Sequence, residues 1–137
     1  MALKISLKPN ERMIIGGAVV TNGDSRTQLT IENKVPLLRE KDIMSERDAN
    51  SPSRRIYFVI QLMYVNEENL MNHHQAYWTL VEELVQAAPS VINLIDQINE
   101  HILFGRYYQA LKLAQQLIVY EEEVMNATEP IASLSAC

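Results

Sequence analysis

The hydrophobic pattern of this chain changes period once, near residue 50, so neither an all-helical nor an all-strand fold can accommodate it. Leu3, Ile5 and Leu7 alternate with Lys4, Ser6 and Lys8, which predicts a strand with three apolar side chains on one face. Pro9-Asn10 turns the chain, and Met13-Ile14-Ile15 is a short apolar run stopped by Gly16-Gly17, a pair that can take the positive φ of a hairpin. Residues 18–21 predict a further strand, ended by Asn22-Gly23-Asp24, a strong turn signal with Arg26 beside the expected hairpin tip. Residues 27–32 alternate again, and residues 35–39 add a last short strand with Pro36 at its start. Such a small antiparallel sheet has a thin core and open edges. It needs cover from the rest of the chain or from a second copy, and a homodimer is the expectation.

Residues 45–54 are polar and turn-rich and serve as a linker. Ser51-Pro52 then fits a helix start, opening a strongly apolar helix through residue 65 that belongs at the centre of a bundle. Further helices are expected over 67–88, stopped by Pro89, over 91–104, capped by Gly105, and over 106–125. The predicted fold class is α+β. A β subdomain (1–44) and a linker (45–54) precede a bundle of about four helices (55–126) and a frayed tail (127–137).

Charge follows the same division. Residues 1–55 hold ten Lys/Arg and seven Asp/Glu, a net of +3; residues 56–137 hold two and ten, a net of −8. A basic face for a polyanion on one half and an acidic remainder on the other is the expected arrangement. The lone cysteine is Cys137, which excludes a disulfide framework and fits a reducing compartment. No stretch approaches the roughly eighteen apolar residues of a membrane span, and the N-terminus lacks the apolar run of a signal peptide. A cytoplasmic protein without a membrane partner is expected.

Catalysis has little to stand on, since no nucleophile elbow, phosphate loop or dinucleotide motif is present, and no cofactor is implied. His73 and His74 are helix neighbours about 100° apart rather than a chelating i, i+4 pair, and no spacing joins them to His101, so no metal site is expected. Glu121-Glu122-Glu123 falls near the expected end of the last helix, where its charge opposes the dipole. The basic half carries Lys4 and Lys8 on one face of the first strand, Arg12 at the start of the second, and Arg39 and Lys41 at the close of the β region. These five are the candidate RNA-binding residues, Arg39 foremost; the ordinary alternative pairs Arg39 with Glu32, Glu40 or Asp42. Residues 1–55 contain no Phe, Tyr or Trp, so this half offers no stacking platform for bases.

Several motifs in order resemble one family. Leu7-Lys8-Pro9-Asn10-Glu11, Ile15-Gly16-Gly17-Ala18-Val19 and Leu38-Arg39-Glu40-Lys41-Asp42-Ile43-Met44 carry it in the β half. Arg55-Ile56-Tyr57-Phe58, Gln61-Leu62-Met63-Tyr64 and Gly105-Arg106-Tyr107-Tyr108-Gln109-Ala110 continue it through the helices. Together they resemble FlbT, a flagellin-synthesis regulator of alphaproteobacteria. Asn10 and Gly16 stand where that pattern has Gly and Asn, exchanges that keep positive φ accessible, and Ser25 replaces a basic residue. The resemblance implies post-transcriptional control of flagellin through the 5′ untranslated leader of its mRNA. The alternative is a protein-interaction module whose acidic helices bind flagellin, a chaperone or a co-regulator, with RNA control indirect. Lys8-Pro9-Asn10-Glu11-Arg12-Met13-Ile14-Ile15-Gly16 and Arg39-Glu40-Lys41-Asp42-Ile43 also resemble the small carbon storage regulators (CsrA), allowing one insertion before Ile43. That likeness implies a CsrA-like β-dimer binding leader RNA along strand edges.

Overall fold

Gly16 and Gly17 both take positive φ, 56° and 89°, which builds a two-residue turn between Arg12–Ile15 (β2) and Ala18–Thr21 (β3). Ile15 then pairs with Ala18 and Arg12 with Thr21. The computed structural model in which this hairpin sits describes residues 2–136, and the side chains of residues 2–66 and 68–124; Cys137 lies outside the described residues. Leu3–Leu7 (β1) runs antiparallel to Thr27–Ile31 (β4), while Leu37–Arg39 (β5) joins the other side of β2. The strands therefore form two small sheets, β1-β4 and β3-β2-β5, rather than the single sheet the alternation predicts. Asn22-Gly23-Asp24 is not a hairpin tip, because β3 and β4 belong to different sheets. Asn22 instead turns its Nδ2 toward the carbonyls of Lys8 and Ser25, at 2.8 and 3.0 Å, and Arg26 reaches Ser6 Oγ at 3.0 Å.

The period of two explains why two sheets suffice. Met13 packs with Ile5 and Leu7 in a small core, whereas its neighbour Ile14 points the other way into the helical core. Leu37 and Leu38 divide in the same manner. The central sheet is thus covered on one face by β1 and β4 and on the other by helices, which is what a continuous apolar run such as Met13-Ile14-Ile15 requires. Cover for its faces comes from within the chain.

The first helix, Pro52–Val65 (α1), starts as its cap residues dictate: Ser51 Oγ accepts from the Arg54 N–H at 3.3 Å, and Pro52 sets the first turn. Leu70–Ala87 (α2) follows a 3-10 turn at Glu67–Asn69 and ends before Pro89. Ile92–Leu103 (α3) buries Ile95, Ile98 and Ile102 at helical spacing and stops where Gly105 takes φ 71°. Tyr107–Ala136 (α4) buries Ala110, Leu111, Ala114 and Leu117. Helix α1 is central, packed on both α2 and α4, and α3 lies against α4. No helix among the described residues is long and apolar enough to cross a membrane.

Two features of α4 depart from expectation. Its backbone continues to Ala136, through the stretch expected as a tail and past Pro130. Glu121 to Glu123 consequently do not sit at a helix end. Glu121 accepts the Ser53 N–H at 3.1 Å and Glu122 pairs with Arg54 at 2.7 Å, so two of these carboxylates meet the positive end of α1.

The β half is fastened to α1 by one polar stripe. Tyr57, Gln61 and Tyr64 share a helix face by their spacing, and each bonds main chain of residues 37–44. Tyr57 donates to the Asp42 carbonyl at 2.5 Å, and Tyr64 Oη accepts the Leu37 N–H at 3.0 Å. Gln61, buried, accepts the Met44 N–H at 2.8 Å and donates to the Met44 carbonyl at 2.9 Å. Replacing Gln61 by Leu keeps the volume and orphans both Met44 groups, a cost of about 2 kcal/mol or more. Urea unfolding monitored at 222 nm checks this; a loss below about 0.5 kcal/mol would show that water replaces the amide at no cost.

Candidate nucleic-acid interface

The turn between β1 and β2 is built around Glu11. Asn10 takes φ 63°, the left-handed conformation that Asn tolerates, and the Glu11 N–H returns to the Lys8 carbonyl at 3.1 Å. One carboxylate oxygen of Glu11 accepts the Lys8 N–H at 2.8 Å, and the other accepts Arg39 Nη2 at 3.0 Å. The backbone donor of Lys8, and then the Arg39 guanidinium, hold the Glu11 carboxyl below the usual carboxylate range.

Arg39 does not pair with Glu32, Glu40 or Asp42. The same Nη2 that meets Glu11 donates to the Ser6 carbonyl at 2.9 Å, tying β5 to β1 across the two sheets. Register explains the choice: Arg39 stands opposite Met13 at the β1 end of β2, which turns it toward residues 6 and 11. Both hydrogens of Nη2 are engaged and Nε is buried without a partner, so the fork needed for two parallel bonds to a base edge is not available. What Arg39 retains for a ligand is its charge, the Nη1 donors and a side chain 40% exposed.

Around this clamp lie two open clefts. The first, of about 430 Å³, brings Lys8, Arg39 and Lys41 together with Glu11 and Glu40. Among the described residues neither Lys8 nor Lys41 forms an ion pair. Lys4 is separated from Lys8, because the chain turns after Leu7 and Lys8 leaves the strand. Lys4 lines a second cleft, of about 460 Å³, which Arg39 also borders. Arg12 lines neither; it is exposed at the start of β2, and its N–H donates to Glu40 at 3.2 Å.

The second cleft contains what residues 1–55 lack. Tyr64 of α1 and Tyr108 of α4 line it, their rings 5.8 Å apart and tilted by 46°. Lys112 Nζ stands 5.1 Å from the centre of the Tyr108 ring and 3.5 Å from Asp42, which Gln115 also contacts at 3.2 Å. Partial burial pulls the Lys112 ammonium down, but the Tyr108 hydroxyl and the Asp42 carboxylate together raise it above its ordinary value. A sequence signal existed for Tyr64 and Tyr108, since both fall in the motifs quoted above, but no local spacing ties them to the basic strands.

Two of the three histidines are engaged, and separately: His74 Nε2 lies 3.2 Å from the Tyr107 hydroxyl, and His101 Nδ1 accepts from Arg106 at 2.9 Å, while His73 Nε2 is buried without a hydrogen-bond partner among the described residues. No group of three or more potential metal ligands occurs among the described residues.

Because the Glu11 pKa is depressed in the folded state, its contribution to stability is present above the unfolded carboxylate value and is lost as pH falls through the folded one. Arg39→Ala is expected to lower the urea midpoint at neutral pH, since it strips Glu11 and the Ser6 carbonyl of a charged donor. Glu11→Gln should flatten the acid limb of a stability-against-pH curve below pH 4.5. An unaltered limb in Glu11→Gln would place the acid sensitivity elsewhere.

Known proteins resemble this chain over most of its length. The family model "Flagellar protein FlbT" matches residues 3–125, from β1 into α4. The chain is 45% identical over 136 residues to "Probable flagellum biosynthesis repressor protein FlbT 1" of Bradyrhizobium diazoefficiens, covering 96% of this chain and 92% of that protein. It is 40% identical over 126 residues to "Probable flagellum biosynthesis repressor protein FlbT" of Rhodopseudomonas palustris, covering 92% and 99%. It is 40% identical over 125 residues to "Flagellum biosynthesis repressor protein FlbT" of Caulobacter vibrioides, covering 90% and 89%. No solved structure matches it. With a family match that spans both sheets and most of the bundle, the chain belongs to the FlbT family of flagellar proteins.

Proposed function

We propose that this protein is a post-transcriptional regulator of flagellin synthesis that binds the 5′ untranslated leader of flagellin mRNA and represses its use. The names of its relatives support the regulatory role and its sign. The observation that carries RNA contact is the convergence of Lys8, Arg39 and Lys41 on one open cleft, although the β1-β2 turn and β5 are far apart in sequence. Lys8 and Lys41 take the phosphates; Arg39 organises the cleft and adds charge; Lys4 and Arg12 extend the positive field to either side. The proposal includes no catalytic step, no cofactor and a cytoplasmic site of action. It also includes a homodimer, supported by the number of edge strands: β1, β3, β4 and β5 each have one neighbouring strand.

Glu82, Glu83, Asp96, Glu100 and Glu122 are exposed on the helices, which favours the rival reading of an acidic surface for a protein partner. Salt separates the two. Binding of labelled leader RNA should weaken linearly in log–log form as salt rises, and Lys8→Ala with Lys41→Ala should shrink the slope by about 1.4, at roughly 0.7 per phosphate contact on a single strand. A protein that ignores leader RNA at low salt yet co-purifies with flagellin or a flagellar chaperone would replace this reading with the rival one.

A further inference from the structure

We infer that the second cleft, between β1 and β5 on one side and α1 and α4 on the other, takes a base of single-stranded RNA against the face of Tyr108. This rests on the RNA-binding reading above and supplies the recognition element that the basic half lacks.

The residues fit that role in five ways. Tyr108 is 41% exposed on the first turns of α4 and lines the cleft, so part of its ring is accessible to a ligand beside Lys112 and Tyr64. Tyr64 beside it is fixed, because its hydroxyl accepts the Leu37 N–H at 3.0 Å, and this gives the platform a rigid wall. Cations flank the rings: Lys4 and Arg39 border the cleft, and Lys112 stands 5.1 Å from the Tyr108 ring centre. Asp42, the acidic group in the same cleft, is already held by Lys112 and Gln115, which reduces its repulsion of a phosphate. Finally, Arg39 borders both clefts, so a strand whose phosphates meet Lys8 and Lys41 passes a third cation on its way to the tyrosines.

Stacked bases with phosphates on a positive groove are how single strands are held with little dependence on sequence. Duplex RNA presents no open base face, so the cleft selects unpaired segments. The chemical class of ligand is therefore a single-stranded polynucleotide, not a phosphate or an acidic polymer in general.

The test uses the full chain with two probes in fluorescence anisotropy: a labelled single-stranded leader segment, and an abasic ribose–phosphate chain of the same length. Wild type should bind the RNA at least about fivefold more tightly than the abasic chain, the lower end of what one stacked base contributes. Tyr108→Leu keeps an apolar side chain and removes the aromatic face. It should erase most of that difference, leave abasic binding unchanged and leave the salt slope unchanged. Tyr108→Trp should retain the preference, with indole emission quenched by RNA and not by the abasic chain. If Tyr108→Leu does not fold, the Trp variant decides, and equal quenching by both probes would overturn the inference. A folded Tyr108→Leu that binds RNA like wild type would also overturn it. Wild type binding both probes equally removes the stacking site while leaving the basic cleft intact. Wild type binding neither removes the cleft as well.

Discussion

The geometry of the candidate site depends on the grip of α1 on the backbone from β5 to Met44. A segment crossing from a sheet to a helix carries amide and carbonyl groups that have left one hydrogen-bond ladder and not yet entered the next. Here the Gln61 amide satisfies both groups of Met44, while Tyr57 and Tyr64 serve Asp42 and Leu37. Those bonds fix where β5 lies, and β5 carries Arg39. The turn beyond it, Glu40–Asp42, carries Lys41 and the carboxylate that holds Lys112. A polar stripe on an otherwise apolar helix thus decides the placement of nearly every charge in the candidate site.

The cores reinforce the same joint. Ile14 and Leu38 belong to the helical core although they sit on strands, so the boundary between the two cores runs through the sheet rather than through the linker. The joint also explains how a basic half with a net of only +3 can present a usable field. Glu11 is spent on Arg39 and the Lys8 N–H, Asp42 on Lys112 and Gln115, and Glu40 accepts the Arg12 N–H. With Glu11 and Asp42 paired to cations, Lys8 and Lys41 are the cations of the first cleft that form no ion pair among the described residues.

The elements themselves were legible from local pattern. Alternation located β1 and β4, the Gly-Gly pair located the β2-β3 turn, and Ser51-Pro52 located the start of α1. What local pattern could not carry was pairing. Asn22-Gly23 has the composition of a hairpin turn, yet the strands on either side part into different sheets, because Asn22 is held by carbonyls beside the β1-β2 turn. Glu121 looked adverse at a helix end and instead caps a helix 68 residues away. Arg39 was legible as a key residue, but its partner was not, since Glu11 lies 28 residues upstream with nothing in the spacing to join them. Tyr64 and Tyr108 were missed as a platform for the same reason. Aromatics absent from the basic half arrive from helices that only the folded chain brings alongside.

The central claim is that sheet and bundle form one cooperative unit whose joint builds the site. Native-state hydrogen exchange at the Met44 and Leu37 amides tests it most directly, because both donate to side chains of α1. The account predicts that these two amides exchange only through global opening, with the same free energy and denaturant dependence as the buried amides in the middle of α1. Exchange of Met44 and Leu37 through a lower-energy opening that leaves α1 protected would contradict it, and would show that the β half opens independently of the helices.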